Sequence, residues 1–131
     1  MADLEKEGKD GNAERLSEAK TQKELGNQMV KEGKCKEAEL FYDVGIKLLR
    51  TAPNETDEVK DLKVILYQNR ALALCQLEDY DAAIDCCRHA LAINDKAVKA
   101  LYRRSIALFK KGLCNMALAD IDRACDLAPK N

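Results

Sequence analysis

The sequence is poor in residues that break helices and in residues that favour strands. Its 131 residues include two prolines, six glycines and no tryptophan, and aromatic residues make up only 5%. A β-sandwich or barrel is therefore a poor fit, because strands are enriched in aromatic side chains. Alanine, leucine, lysine and glutamate, which are strong helix formers, recur throughout. We predict an all-α fold in one compact domain.

The chain also lacks a strong net charge and a long apolar run. Its formal net charge of −1 gives no general reason to expect nucleic acid or an anionic membrane as a partner. No apolar run approaches the length that spans a bilayer, and the N-terminus has no apolar signal-peptide core. We therefore expect a cytoplasmic protein with no nucleic-acid partner and no membrane partner.

The six cysteines lack the spacing of a metal site. There is no C-x-x-C pair, and the sequence contains one histidine, His89. Cys86 and His89 would lie one turn apart in a helix, but no second pair of ligands accompanies them. We expect no metal and no cofactor, and we expect the thiols to behave as small apolar side chains in a reducing compartment.

Catalytic motifs are absent as well. The sequence has no nucleophile elbow and no glycine loop that could cradle a phosphate, and His89 has no evident partner to orient it as a base. Asp79, Asp81 and Asp85 lie near a turn and along the start of a helix, where the helix dipole favours acidic residues. We therefore predict a binding module rather than an enzyme, with no catalytic residue.

A repeat of 34 residues runs through the second half of the chain. Ala83 and Ala117 are 34 residues apart, as are Ala90 and Ala124. An earlier copy, KELGNQMVKEGKCKEAELFYDVGIKLL, has Ala38 in the corresponding place, 45 residues before Ala83. Eleven residues are therefore inserted between the first and second copies, and we place them around TAPNETDEVKD, which breaks the pattern. The period predicts stacked pairs of helices.

Each copy consists of two predicted amphipathic helices joined by a short turn. The 3.6-residue periodicity predicts six helices, near 17–32, 35–50, 61–77, 80–93, 96–111 and 114–127. The alanine that the three copies share falls where the helices of a pair cross, because interhelix distances of about 8–10 Å leave space there only for a small side chain. Asp79 is predicted to cap the helix that follows it, and Asn94 or Asp95 the next one.

These copies resemble the tetratricopeptide repeat family. The matching residues are Leu25, Gly26, Ala38 and Tyr42 in the first copy, Ala71, Tyr80, Ala83 and Ala90 in the second, and Gly112, Ala117, Ala124 and Pro129 in the third. The chain departs from the family pattern at Gln22, where a large aromatic is common, and at Gly45, where alanine is usual. Cys35 and Cys114 replace the aromatic that Tyr80 supplies in the second copy.

The resemblance implies a right-handed α-solenoid of three helix-turn-helix repeats, near 19–52, 64–97 and 98–131. We accordingly divide the chain into a flexible N-terminal extension, 1–16, and a repeat domain, 17–131. The end of a solenoid exposes an apolar face unless a polar capping element covers it. Either the last helix is unusually polar outside, or the chain is a fragment that lacks its capping helix, and we favour the fragment.

Five polar residues fall on the first helices of the three repeats, which are expected to line a concave surface. Lys23 and Asn27 are four residues apart in the first copy, Asn69 lies in the second, and Lys99 and Arg103 are four apart in the third. Such a convergence of cations and amides suits a carboxylate, because lysine offers a point charge, arginine a bidentate fork and asparagine a donor beside an acceptor. The C-terminal acidic residue of a peptide presents two carboxylates at close range, and capture of a terminal carboxylate is an established mode of peptide recognition.

This set of residues is similar to the carboxylate clamp of the co-chaperone branch of the family, including the immunophilin-type and myosin-chaperone-type proteins. The branch's motifs stand here as KELGN, YQNRA and KALYRR. The resemblance implies binding to the C-terminal Glu-Glu-Val-Asp tail of cytosolic heat-shock protein 90 or heat-shock protein 70. Lys23, Asn27 and Asn69 would hold the terminal carboxylate, while Lys99 and Arg103 would take the aspartate side chain and backbone.

Other interpretations of the same residues stay open at this point. Lys23 and Lys99 would serve as solvated helix residues, Asn69 as a link between helices, and Arg103 with Arg104 as a surface pair bonded to acids. The chain would then be a structural scaffold that binds a different peptide or a partner helix. The coincidence of all five residues at matched positions favours the clamp, and dependence on a free ligand C-terminus separates the two functions.

Overall fold

The computed structural model describes residues 2–128, and it describes side chains from residue 11 onward. This part of the chain forms six helices and no strand. They are α1 (Ala2–Lys31), α2 (Cys35–Arg50), α3 (Asp57–Gln76), α4 (Tyr80–Ile93), α5 (Val98–Lys110) and α6 (Cys114–Leu127). The helices pack in the pairs α1 with α2, α3 with α4, and α5 with α6, and α3 also touches both α1 and α5. The predicted all-α fold of three helix pairs is confirmed.

The second helix of each pair lies within the predicted bounds, but the first helices differ from the prediction. α3 begins four residues earlier than predicted, because the hydroxyl of Thr56 accepts a hydrogen bond from the Val59 N–H and caps it. α1 begins at Ala2, so the predicted start near residue 17 is wrong. Despite its 30 residues, α1 is polar, and no helix within residues 2–128 combines the length and apolar character that a membrane crossing needs.

The early part of α1 contacts the loop between α2 and α3. The Asn12 amide donates to the Asn54 carbonyl at 2.8 Å and accepts from the Asn54 N–H at 3.2 Å, while Arg15 Nε donates to Thr51 Oγ1. Leu16 is buried. Tertiary contacts therefore hold this part of the helix, which lacks the apolar periodicity that reveals the others. The division of the chain at residue 16 and the flexibility of the extension stay predictions.

The eleven inserted residues are spread over two helices and the loop between them. α2 is two residues longer than α4, the loop 51–56 is two residues longer than the loop 94–97, and α3 is seven residues longer than α5. The insertion therefore lengthens helices whose extra turns pack, and it adds little irregular chain. Residues 129–131, which include Pro129 of the family pattern, lie outside the described residues.

Small residues allow the helices of each pair to approach closely. Ala38, Ala83 and Ala117, the alanine shared by the three copies, are all at most 2% exposed, as predicted. Leu66 of the second pair packs against Gly45 of the first, and both Leu66 and Leu101 are at most 2% exposed. Burial of a leucine side chain contributes on the order of 1.5–3 kcal/mol, so the stack depends mainly on these contacts between helices.

The six thiols fall into three groups, of which Cys35 and Cys75, both half-buried, are the intermediate one. Cys86 and Cys87 are buried, and desolvation raises the pKa of Cys86 to about 11 and that of Cys87 to about 12. These two behave as the small apolar side chains that we predict. Cys114 and Cys125 are exposed, so the same prediction is wrong for them. Cys114 stands one 34-residue period after Tyr80, which is half-buried in the second pair, but the third pair has no neighbour covering it in the described part of the chain.

The three turns within the helix pairs share one backbone conformation. Gly33, Glu78 and Gly112 have φ values of 77°, 62° and 85°, in the left-handed region. In each turn the next residue donates its N–H to a carbonyl five residues earlier, as in Asp79 to Leu74. This pattern satisfies the last carbonyls of α1, α3 and α5 and reverses the chain. Glu78 is the one residue of the three with a Cβ, and that conformation is costly for it.

Helix starts confirm one predicted cap and contradict another. The Asp79 carboxylate accepts from the Ala82 N–H at 3.4 Å and caps α4, as predicted. α5 begins after Ala97, which has no capping side chain, so the prediction that Asn94 or Asp95 caps it is wrong. The Asn94 side chain instead accepts from the N–H of Lys96 at 3.0 Å, within the turn. α5 thus begins two residues later than predicted, at Val98 rather than near 96.

Replacing Glu78 by glycine is expected to raise the free energy of unfolding by roughly 0.5–1 kcal/mol, and the melting temperature by about 2–5 °C. Glycine avoids the cost of about 1–2 kcal/mol that a side chain bears in the left-handed region, although it loses more backbone entropy on folding. Urea unfolding followed by circular dichroism measures the change. Glu18→Gly, at an exposed position in the middle of α1, is the control and is expected to lose roughly 0.5–1 kcal/mol. Equal destabilisation by both substitutions would contradict the turn argument.

Candidate functional site

The five predicted site residues lie on α1, α3 and α5, whose shared face we call the inner surface. Lys23 and Asn27 lie on α1, Asn69 on α3, and Lys99 and Arg103 on α5. Asn69 and Arg103 are one 34-residue period apart, so the stacking of the repeats places them at the same level on adjacent helices. The first helices of the pairs thus bring side chains distant in sequence to one surface, as the repeat predicts.

Three of the five residues form a continuous chain of hydrogen bonds across the inner surface. Asn69 Nδ2 donates to Asn27 Oδ1 at 3.3 Å, and Arg103 Nη1 donates to Asn69 Oδ1 at 3.4 Å. Arg103 Nη1 also donates to the Gln68 carbonyl at 2.8 Å. These bonds fix the position of the guanidinium and of both amides before any ligand arrives.

A buried tyrosine joins these hydrogen-bonded residues to the core. The Tyr42 hydroxyl donates to Asn27 Oδ1 at 2.5 Å, and the Tyr42 side chain is 1% exposed. From the sequence, Tyr42 is assigned only to the family pattern of the first copy, and the Gln68 carbonyl is not identified at all. The repeat pattern gives the position of the ring, but the partner of its hydroxyl depends on the distance between α1 and α2.

The cations of the inner surface are not neutralised by acids. Nine other Lys and Arg side chains pair with carboxylates in residues 11–128. Lys23, Lys99 and Arg103 form no such pair within that range. Burial lowers the pKa of Arg103 from its ordinary value, but that value is so high that the guanidinium stays charged at neutral pH. A half-buried cation without a counter-ion attracts an anionic group.

The two lysines, Lys23 and Lys99, lie beside these hydrogen-bonded residues but take no part in their hydrogen bonds. Lys23 is half-buried and Lys99 is exposed, and neither makes a hydrogen bond to any side chain that the structure describes. Lys99 and Arg103 stand at the edge of an otherwise apolar groove of about 470 Å³ between α3, α5 and α6. The groove is lined by Leu72, Val98, Tyr102, Ile106, Ile121, Ala124, Cys125 and Ala128. The charged positions therefore adjoin a surface that suits aliphatic groups.

The structure gives the contacts of two residues for which alternatives were open, Arg104 and Asn69. Arg104 lies on the other side of α5 and donates twice to the buried Asp120, at 2.7 and 2.8 Å, and these bonds raise the pKa of Arg104. Arg104 is thus an acid-bonded structural residue, whereas Arg103 is not. Asn69 does link helices, because it bridges α1 and α5. The link leaves Asn27 Nδ2 without an acceptor among the described residues, so it is compatible with a ligand.

Comparison with known protein families and curated proteins identifies relatives of the repeat domain. A protein-family model described as Tetratricopeptide repeat matches residues 64–96 of the sequence, which contain most of α3 and all of α4. The chain is 34% identical over 125 residues to FK506-binding protein 59 of Drosophila melanogaster, covering 90% of this chain and 27% of that protein. It is 34% identical over 115 residues to protein unc-45 homolog B of Mus musculus, covering 88% of this chain and 12% of that protein. The chain thus spans about a quarter or less of the length of these relatives.

Solved structures extend the likeness to the fold. The TPR domain of Arabidopsis OM64 has a TM-score of 0.75 and 31% identity, and the match covers 89% of this chain and 88% of that one. The second TPR of Spaghetti (RPAP3), bound to the HSP90 peptide SRMEEVD, has a TM-score of 0.79 and 27% identity, with 95% and 98% covered. The second TPR domain of human RPAP3, in complex with the HSP70 peptide SGPTIEEVD, has a TM-score of 0.74 and 29% identity, with 89% and 88% covered.

Proposed function

Because the chain belongs to the tetratricopeptide repeat family, we propose that it is the peptide-binding module of a co-chaperone. Its ligand is the acidic C-terminal tail of heat-shock protein 90 or heat-shock protein 70, and its place of action is the cytosol. The module has no catalytic role of its own. Support comes from the neighbours of known structure that hold peptides ending in Glu-Glu-Val-Asp, to which this chain is similar over most of its length.

The observation that carries this proposal is the set of hydrogen-bonded polar side chains on the inner surface. Asn27, Asn69 and Arg103 are joined by hydrogen bonds, and Arg103 has no acidic partner in residues 11–128. The half-buried guanidinium of Arg103 lacks a counter-ion among residues 11–128, and an uncompensated charge costs free energy when it is partly buried. An anion supplied by a ligand resolves that cost.

Each clamp residue has a part in the proposed complex. Asn27 Nδ2, Asn69 and Lys23 hold the terminal carboxylate of the peptide. Lys99 and Arg103 take the side chain and backbone of its last aspartate, for which the fork of Arg103 offers donors besides the one already bonded to Gln68. Residues before the aspartate extend toward the apolar groove beside Lys99 and Arg103. Preorganised donors lower the ordering cost of binding such a short peptide.

Calorimetric titration with Met-Glu-Glu-Val-Asp tests the function. We expect a dissociation constant in the micromolar range, on the order of −8 kcal/mol, for the peptide with a free C-terminus. The same peptide amidated at its C-terminus is expected to show no measurable binding, because it lacks the carboxylate that the amides hold. Affinity for the free acid should fall as salt is raised, since ion pairs at a surface are screened within about 10 Å at 0.1 M ionic strength.

Two results separate the clamp from a scaffold role. Equal binding of the free and amidated peptides would show recognition of an internal sequence, and it would replace the clamp with a general peptide groove. Binding of neither peptide would favour the scaffold that takes a partner helix instead. A parallel titration with a peptide ending in Ile-Glu-Glu-Val-Asp compares the two chaperone tails.

A further inference from the structure

The direction of every hydrogen bond in the inner-surface chain follows from its arginine. A guanidinium can only donate, so the Asn69 atom that faces Arg103 must be Oδ1. The remaining amide atom of Asn69, its Nδ2, then faces Asn27 and donates, so the Asn27 atom in contact with it must be Oδ1. The Tyr42 hydroxyl meets this same oxygen and therefore donates to it as well.

This polarity leaves one group of Asn27 for a ligand. Its oxygen accepts from both Tyr42 and Asn69, and its Nδ2 donates to no group in the described part of the chain. An asparagine without such neighbours can turn its amide by half a rotation and present oxygen instead of nitrogen. An oxygen in that place would repel a carboxylate, so affinity for an anion depends on what prevents the rotation.

Tyr42 is held in a position from which its hydroxyl can prevent rotation of the Asn27 amide. Its ring packs against Gly26, so closely that a Cβ at position 26 would lie 2.7 Å from Cδ1 and 2.8 Å from Cζ of the ring. The side chain is buried, and burial raises the pKa of the Tyr42 hydroxyl, so the group is protonated and able to donate at neutral pH. Its only side-chain acceptor in residues 11–128 is Asn27.

We propose that Tyr42 is a positioning residue of the binding site: its hydroxyl orients the Asn27 amide so that Nδ2 faces the ligand carboxylate. This inference rests on the proposed function for its ligand, but it concerns a residue that touches no ligand. Tyr42 acts only through Asn27, and the Asn69–Arg103 pair acts on the same amide from the other side. The orientation of the Asn27 amide is thus determined by a buried side chain as well as by side chains of the inner surface.

The test uses Tyr42→Phe, which keeps the ring and removes the hydroxyl, in wild-type and Asn27→Ala backgrounds. With the free Met-Glu-Glu-Val-Asp peptide, Tyr42→Phe is expected to weaken binding roughly five- to ten-fold, because a hydrogen bond to a charged group loses its alignment. In the Asn27→Ala background the same change is expected to have no further effect. Tyr67→Phe removes a hydroxyl from a second buried tyrosine, which makes no hydrogen bond to the clamp residues, and it should leave binding unchanged.

Side-chain amide resonances of Asn27 in the peptide-free protein give a second measurement. Tyr42→Phe is expected to shift these resonances and broaden them by exchange, while Tyr67→Phe leaves them in place. If wild-type protein binds no peptide, the proposed function fails, and these resonances still decide whether Tyr42 orients Asn27. Unchanged peptide affinity in Tyr42→Phe would overturn the inference, and so would an equal loss with and without Asn27, since Tyr42 would then act by another route.

Discussion

Replacing Arg103 by alanine is expected to weaken binding of the free Met-Glu-Glu-Val-Asp peptide by roughly 100-fold or more, beyond the range of calorimetry for a micromolar ligand. The substitution removes the cation that faces the ligand aspartate. It also removes the donor that fixes Asn69, and through Asn69 the amide of Asn27. One change therefore disturbs three of the five clamp residues and also removes a cation.

The matched control for this change is Arg88→Ala. Arg88 lies on α4 with its side chain 70% exposed, so its removal deletes the same charge and the same atoms away from the inner surface. We expect its affinity to stay within two-fold of wild type. Circular dichroism and thermal melts show whether both variants remain folded. An Arg103→Ala protein that is folded and binds with wild-type affinity would remove Arg103 from the site and with it the clamp assignment.

Replacing Gly26 by alanine is expected to lower the free energy of unfolding by about 2 kcal/mol, although alanine gains about 1 kcal/mol over glycine in a helix. The new methyl group would overlap the Tyr42 ring, approaching Cδ1 within 2.7 Å. That ring is buried, and its hydroxyl is bonded to Asn27, so it has no free space into which to move. Urea unfolding measures the loss, and weaker peptide binding should accompany it because Tyr42 leaves Asn27.

Gly45→Ala is the control for Gly26→Ala. It places the same methyl group in a helix at a buried site, but there it meets the two terminal methyl groups of Leu66 at 3.1 and 3.2 Å. The end of a leucine side chain can shift by a few tenths of an ångström, and the gain in helix propensity offsets that cost. We expect a change of no more than about 1 kcal/mol in either direction. If both substitutions had the same effect, rigidity of the Tyr42 ring would not explain the first.

The parts of the fold that could be predicted are those recorded in the 34-residue period. The second helices of the pairs lie within their predicted bounds because a short turn and an apolar stripe define them. The start of α1 could not be predicted, because the segment before residue 17 has no apolar periodicity, and contacts such as that of Asn12 with Asn54 leave no periodic pattern. The missing cap of α5 has the same cause, because the two-residue shift of its start to Val98 depends on a local turn at Asn94.

The sequence predicts which residues form the candidate site, but it does not predict the hydrogen bonds between them. The helical spacing of Lys99 and Arg103 and the period between Asn69 and Arg103 place the clamp residues on adjacent helices, and the structure has them there. Whether Arg103 or its neighbour Arg104 would be bonded to an acid depended on which side of α5 faces Asp120. The role of Tyr42 depended on a side-chain distance across the α1–α2 interface. No pattern in one sequence records such distances.

The order in which the helices touch has a consequence for cooperativity. The first and third helix pairs make no direct backbone-level contact in the described chain, and each packs only on the pair between them. In such a stack an end pair opens without unfolding the rest, and its stability is that of one interface. A peptide tail bound by α1, α3 and α5 together would stabilise both interfaces, that of the first pair with the second and that of the second pair with the third. Slowed hydrogen exchange would then spread over all three pairs on binding, including amides far from the ligand, and fraying of either end would release it.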